Sequence, residues 1–302
     1  MEARSTTGAV TAHQPDRDER SDLDRRGLDA YAAEFLGTFL LVLFIGIIVS
    51  LHQPNPEALG VQDWAVIGLV HFFLLTMLVY TLGHASGAHF NPAVTATLTA
   101  LRKIHVVDAA IYVVLQLIGA ILAALLVKLI LSDEGDPAGY GQTTISDAFL
   151  DGKTLSGFLV ELIGTFALMW AIMGVAVNPK GARDWAGLVI GGTLGFAVMA
   201  TGPLTGAGLN PARAAGPSIV GDNSEPLGDF IVAYVLGPTV GALLAGVVYT
   251  ALILGPEGRL GRRPVDTLSG AAESPRGGGD IELPAGVDAP RTTGTDPTEP
   301  RP

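Results

Sequence analysis

Apolar residues run along this chain in six stretches of about 20, near 30–50, 64–83, 108–131, 156–177, 185–202 and 229–254, with short polar segments between them. A helix rises ~1.5 Å per residue, so each stretch is long enough to cross ~30 Å of hydrocarbon. The pattern predicts six transmembrane helices. Two shorter stretches follow Asn91 and Asn210 and predict helices covering only ~15–18 Å, about half the hydrocarbon thickness. They cannot span alone and have to enter from one face and return to it. Both open well: Asn91 and Asn210 are favoured N-cap residues, and Pro92 and Pro211 suit the first helical position.

The second half repeats the first. AEFLGTFLL at 33–41 returns as VELIGTFAL at 160–168, and SGAHFNPAV at 86–94 returns as TGAGLNPAR at 205–213. The copies cover about 30–131 and 156–254. Each opens on a span bearing a glutamate, Glu34 or Glu161, and carries an Asn-Pro-Ala segment, Asn91-Pro92-Ala93 or Asn210-Pro211-Ala212. An odd number of crossings separates the copies, so the second lies inverted relative to the first. The two Asn-Pro-Ala segments therefore enter from opposite faces and meet near the midplane.

Charge sharpens this reading. Only 16% of residues are charged, against ~25% in an ordinary soluble domain, and 26 of the 47 lie in 1–29 and 256–302. So long a charge-poor segment excludes a soluble enzyme, and no nucleophile, base and orienting group come together at readable spacing. The chain has no cysteine, which removes disulfides, thiolate metal sites and cysteine nucleophiles. Neither a metal nor a cofactor is expected. The net charge of −11 argues against nucleic acid as a partner. Both tails, 1–29 and 255–302, read as disordered cytoplasmic segments. No signal peptide is expected, because residues 1–29 are polar and acidic and the first apolar run is too long.

Lys and Arg near the span ends set the orientation. Arg25, Arg26, Arg102, Lys103, Lys180, Arg183, Arg259, Arg262 and Arg263 lie on one side, and the opposite loops offer only Lys153. This places both termini in the cytoplasm of a multi-pass protein of the cell membrane, whether plasma or inner. Lys128, near the outer end of its span, is expected to snorkel to the headgroups.

The duplicated Asn-Pro-Ala, the Arg213 that follows its second copy, the SGAH lead-in at 86–89, and the glutamate of AEFLGTF and its echo resemble the aquaporin or major intrinsic protein family over about residues 30–254. The resemblance implies an all-α membrane protein: a right-handed bundle of six transmembrane helices with two re-entrant half-helices, one pore per subunit, in a homotetramer. It places a four-residue selectivity filter on His71, Val198, Ala207 and Arg213. A His with an aliphatic residue, a small residue and Arg is similar to the filter of vacuolar plant aquaporins, whose pores also admit small neutral solutes. Ala214, where glycerol facilitators of the family carry Asp, and the short 221–228 loop are similar to the water branch. Tyr234 fits that branch too, while Val235 replaces an aromatic expected there.

Non-helical backbone at membrane depth is tolerated only where protein covers it or where it lines a wet cavity. If each Asn side-chain oxygen caps its own helix, its amide NH2 is free to donate into a lumen. The oxygen of a passing water would accept from both and be unavailable to a proton wire. Each half-helix N-terminus adds roughly half a positive charge at the same point, and Arg213 adds a full one. Half-helix dipoles and an Arg are the devices already attributed to aquaporins for excluding cations. Glu34 and Glu161, about one turn into the first span of each half, are expected to accept hydrogen bonds from the re-entrant loops. His84 and His89 are expected to orient the loop before Asn91 or to line the inner vestibule. His13, His52 and His105 have no pattern around them.

The sequence thus predicts a passive channel in the lipid bilayer for water that excludes protons and ions and leaks small neutral solutes. A facilitator of glycerol, ammonia or hydrogen peroxide with water secondary is the alternative. A secondary transporter with inverted repeats is the rival of another class, and it requires ion-coupling carboxylates near the midplane.

Overall fold

The computed structural model describes residues 25–52, 61–221 and 225–254. These belong to the first of two units into which the chain divides, Met1–Ala271. In chain order the α-helices are α1 (Leu28–His52), α2 (Val61–Ser86), α3 (Pro92–Ala100), α4 (Val106–Ile130), α5 (Asp147–Leu150), α6 (Thr154–Ile172), α7 (Ala186–Thr205), α8 (Pro211–Val220), α9 (Leu227–Phe230) and α10 (Gly237–Leu252). Among the described residues six helical segments are long and apolar enough to cross a membrane: Leu28–His52, Gln62–Ser86, Val106–Ile130, Thr154–Val177, Arg183–Thr205 and Leu227–Leu252. Each overruns the apolar stretch that predicts it at one or both ends, because polar residues such as His52, Asp63 and Ser86 continue the helix.

The fourth and sixth spans are not uniform. A π-helical turn, Met173–Val177, ends the fourth, and another, Ile231–Leu236, joins α9 to α10. The second turn precedes Pro238, which has no N–H to donate to the carbonyl four residues back, so the regular ladder cannot pass through it.

Within the first half α1 packs on α4, and within the second α6 packs on α10; α2 meets α7 across the repeat boundary. Of the two half-helices, α3 lies against α10 and α8 against α4, so each is held by the last span of the other half. Small residues permit these approaches. A Cβ on Gly216 of α8 would come within 2.5 Å of the Ala120 carbonyl oxygen on α4, and one on Gly241 of α10 would run into the Leu162 carbonyl on α6. Phe44, Phe73, Leu129, Phe196 and Val247 stand exposed, as side chains facing lipid or another copy would.

The N-terminal boundary needs correction. A tail over 1–29 is too long, because helix α1 begins at Leu28 and the residues before it are tied down. Asp108, buried near the start of α4, accepts from Arg25 Nε (2.8 Å), the Arg26 backbone N–H (3.1 Å) and the Tyr31 hydroxyl (2.6 Å). Tyr31 and Asp108 hold the Arg25 guanidinium above its ordinary pKa. The rest of that tail, and the tail over 255–302, lie outside the described residues.

Candidate functional site

The two segments leading into the half-helices have matching backbones. Gly87, Ala88 and Phe90 lie at φ of 91°, 52° and 46°; Gly206, Ala207 and Leu209 lie at 71°, 49° and 51°. Left-handed conformation costs an ordinary L-residue about 1–2 kcal/mol, so something must hold these loops. Two buried carboxylates do. Glu34 Oε1 accepts from Ser86 Oγ (2.6 Å) and the His89 N–H (2.9 Å), while Oε2 accepts from the Phe90 N–H (2.7 Å) and Gln116 Nε2 (2.8 Å). Glu161 Oε1 accepts from Thr205 Oγ1 (2.6 Å) and the Gly208 N–H (2.9 Å), and Oε2 from the Leu209 N–H (2.5 Å). Both glutamates are fully buried, about two turns into their helices where the sequence suggests one. They touch the loops and stay off the cavity wall. Two tyrosines complete the mirrored frame: Tyr112 donates to the Ser86 carbonyl (3.0 Å) and Tyr234 to that of Thr205 (2.9 Å).

At the loop tips the asparagines cap their helices. Asn91 Oδ1 accepts from the Ala93 N–H (2.9 Å), and Asn210 Oδ1 from those of Ala212 (3.0 Å) and Arg213 (3.3 Å). Pro92 and Pro211 occupy the first helical positions. The amide nitrogens are not wholly free, which corrects the sequence reading. Asn91 Nδ2 donates to the Leu209 carbonyl (2.9 Å) and Asn210 Nδ2 to that of Phe90 (2.8 Å). An amide NH2 has two hydrogens, so one on each is used to tie the opposing tips together and one remains.

Around this joint runs a cavity of about 30 Å³, counted as room for water centres, which suffices for about two waters. His71 and Arg213 line it towards the face carrying residues 131–153, called the outer face below, and His89 lines it towards the other. Leu41, Ile45, Leu75, Leu168 and Leu194 supply apolar wall, and among the described residues Arg213 is the only charged one on it. Arg213 is buried, its Nη1 donating to the Gly141 carbonyl at 2.7 Å. Gly141 belongs to the outer loop between α4 and α5, and it can sit there because it has no side chain: at φ of 96° a Cβ on it would lie 2.8 Å from Gly46 Cα on α1. The same loop is fastened by Glu225, which accepts from the Ile145 N–H at 2.6 Å and whose carboxyl is raised above its usual pKa by burial. Lys128 lies in the last turn of α4. Its Nζ donates to the Val220 carbonyl (3.3 Å) at the C-terminal end of α8 and lies 5.0 Å from the Tyr140 ring centre, a favourable place for a cation.

Val198 and Ala207 are buried in the apolar cluster that also supplies Leu41, Ile45, Leu75 and Leu194, and they are not on the wall of this cavity. Of the four filter positions, His71 and Arg213 are the two that meet there. His84 stands exposed near the end of α2 and is not among the residues lining that wall. Sequence reasoning missed Thr95, Tyr112, Gln116 and Gly141. Tyr112 was open to discovery through its echo at Tyr234; Gly141 acts on Arg213 across 72 residues and carried no local signal.

The chain matches the family described as Major intrinsic protein over residues 24–249. It is 36% identical to Nodulin-26 of Glycine max over 82% of this chain and 87% of that protein. It is 40% identical to Glycerol uptake facilitator protein-like 6 of Lactiplantibacillus plantarum, over 75% of this chain and 98% of that one. Aquaporin AqpM of Methanothermobacter thermautotrophicus is 36% identical over 73% and 95% respectively. Among solved structures, the X-ray structure of the aquaglyceroporin from Plasmodium falciparum superposes with a TM-score of 0.62 at 23% identity, over 78% of this chain and 99% of that chain. That likeness is one of fold.

Proposed function

The chain belongs to the major intrinsic protein family and is a multi-pass membrane channel, not an enzyme; from that premise we propose that it conducts water passively, excludes protons and ions, and leaks small neutral solutes. One observation carries the reading. Among the described residues, the wall of the cavity between the asparagine tips bears a single charged side chain, the cation Arg213, and no carboxylate. A cation entering it would leave its hydration shell for apolar wall and a like charge, a transfer that costs far more than an uncharged molecule of the same size pays. Half-helices α3 and α8, pointing positive ends at the same place, add to the barrier. The coupling carboxylates a secondary transporter needs are not at hand either, since Glu34 and Glu161 are both engaged by the loops.

A solute facilitator is the second reading. The name of the relative from Lactiplantibacillus plantarum favours it, and Val198, a filter position by the family resemblance, carries no hydrogen-bond donor. Ala214 and the placement of His71 beside Arg213 favour water. The assembly is read as a homotetramer in the cell membrane with both termini cytoplasmic, on the family resemblance and on the Lys and Arg distribution.

Stopped-flow light scattering on proteoliposomes tests this directly. Water should equilibrate at least tenfold faster than glycerol, about 1.4 kcal/mol of discrimination, without saturation. His71→Phe combined with Val198→His should lower glycerol flux further while water flux persists. Glycerol passing as fast as water would reverse the ranking, and a flux coupled to an ion gradient would make the protein a transporter.

A further inference from the structure

The two halves are alike around their carboxylates and differ in one polar cluster. In the first, Thr95 Oγ1 lies 3.0 Å from the Asn91 carbonyl oxygen, 3.1 Å from Gln116 Nε2 and 3.1 Å from His89 Nδ1. The offset that carries Asn91 onto Asn210 carries His89 onto Gly208 and Thr95 onto Ala214, and the offset that carries Tyr112 onto Tyr234 carries Gln116 onto Pro238. The second loop nevertheless has the same left-handed turns and the same carboxylate grip. A loop of this kind therefore folds without the cluster, and what the cluster adds bears on His89.

Hydrogen accounting says what that is. The Glu34 carboxylate accepts, so Gln116 turns its NH2 towards it, and the second hydrogen of that NH2 goes to Thr95. The Asn91 carbonyl also only accepts, so the single Thr95 hydroxyl hydrogen goes there. One lone pair is left on the hydroxyl, and His89 Nδ1 has to donate to it. In the neutral ring Nε2 is then a bare acceptor, on a side chain that lines the cavity. His71 arrives at the same state by another route: its Nδ1 lies 2.8 Å from the Ile67 carbonyl, which can only accept, and among the described residues its buried Nε2 has no protein partner.

We propose that Thr95 and Gln116 are positioning residues that fix His89 as a hydrogen-bond acceptor towards the lumen, matched by His71 on the outer side. Hydrogen-bond donors of the asparagine pair then hold the middle of the path, and an imidazole lone pair receives hydrogens at each end. The path accordingly takes neutral molecules that both accept and donate, such as water, ammonia and small alcohols, in preference to acceptor-only molecules of similar size. This deepens the channel reading above and rests on it.

The test is nitrogen-15 solid-state NMR of the full chain, labelled at histidine and reconstituted in lipid at neutral pH. His89→Asn and His71→Phe assign the two ring signals. The wild type should show both rings protonated at Nδ1 and bare at Nε2. Thr95→Val should move His89 to the other tautomer or to a mixture, Thr95→Ser should restore it, and His71 should stay unchanged throughout. In proteoliposomes Thr95→Val should lower water permeability roughly two- to tenfold, the range one hydrogen bond commands. A wild-type His89 protonated at Nε2, or a spectrum unmoved by Thr95→Val, overturns the proposal, and the wild-type spectrum decides alone should the variant not fold. Correct tautomers in a protein that passes no water would leave the assignment standing and remove the channel reading instead.

Discussion

Single side chains carry the account at its finest scale, and the two glutamates carry most of it. Glu34 accepts four hydrogen bonds and Glu161 three, each at the end of a segment whose backbone is partly left-handed. Glutamine is nearly isosteric but turns an NH2 towards donors that then lose their acceptor. Each donor orphaned in a buried site costs about 1–3 kcal/mol, so Glu34→Gln and Glu161→Gln should both lower the unfolding temperature in detergent, Glu34→Gln by more because it orphans more. Equal melting of both variants and the wild type would mean that water or the turns themselves hold the loops. Position and type were readable here, since two acids at matching places in inverted halves point at one shared task. Their partners were not, because nothing local in the chain announces that Glu34 reaches a backbone N–H 55 residues on.

At the scale of elements, the spans and half-helices followed from the length of apolar runs and from Asn-Pro starts, which are local signals. What escaped was how elements press on one another. The asparagine amides, read from the sequence as free, each spend one hydrogen on the opposite loop, a contact that exists only once both halves are folded. The outer loop between α4 and α5 carries the carbonyl that holds Arg213, and no motif in the sequence marks it. Gly141→Ala tests that link. A Cβ there is strained at positive φ and meets Gly46, so the variant should lose about 1–2 kcal/mol of stability from the backbone alone. By displacing the Arg213 acceptor it should also raise the ratio of glycerol to water flux. Gly228→Ala, where a Cβ has nothing within 4 Å, is the neutral control. An unchanged flux ratio in Gly141→Ala, measured by stopped flow, would show that Arg213 keeps its place without the loop.

The whole molecule behaves as two inverted halves that meet at their tips, along α2 and α7, and where each half-helix lies against the last span of the other half. Composition fixed the class, because charge withdrawn to the tails leaves a core fit only for lipid. The support behind the inner lining was legible only in part, as residues such as Thr95 and Gln116, which stand behind His89, have no echo in the second half and so no pattern to betray them. With no cysteine anywhere in the chain, water flux should be indifferent to mercurials, and block reversed by a thiol reductant would point to a contaminating channel. The central claim is that neutral molecules pass this lumen and protons do not. It is tested most directly by imposing osmotic and pH gradients together on proteoliposomes carrying an internal pH dye. Rapid shrinkage with the internal pH holding at the rate of protein-free vesicles is the predicted result; collapse of the pH gradient on the timescale of the water flux would contradict it.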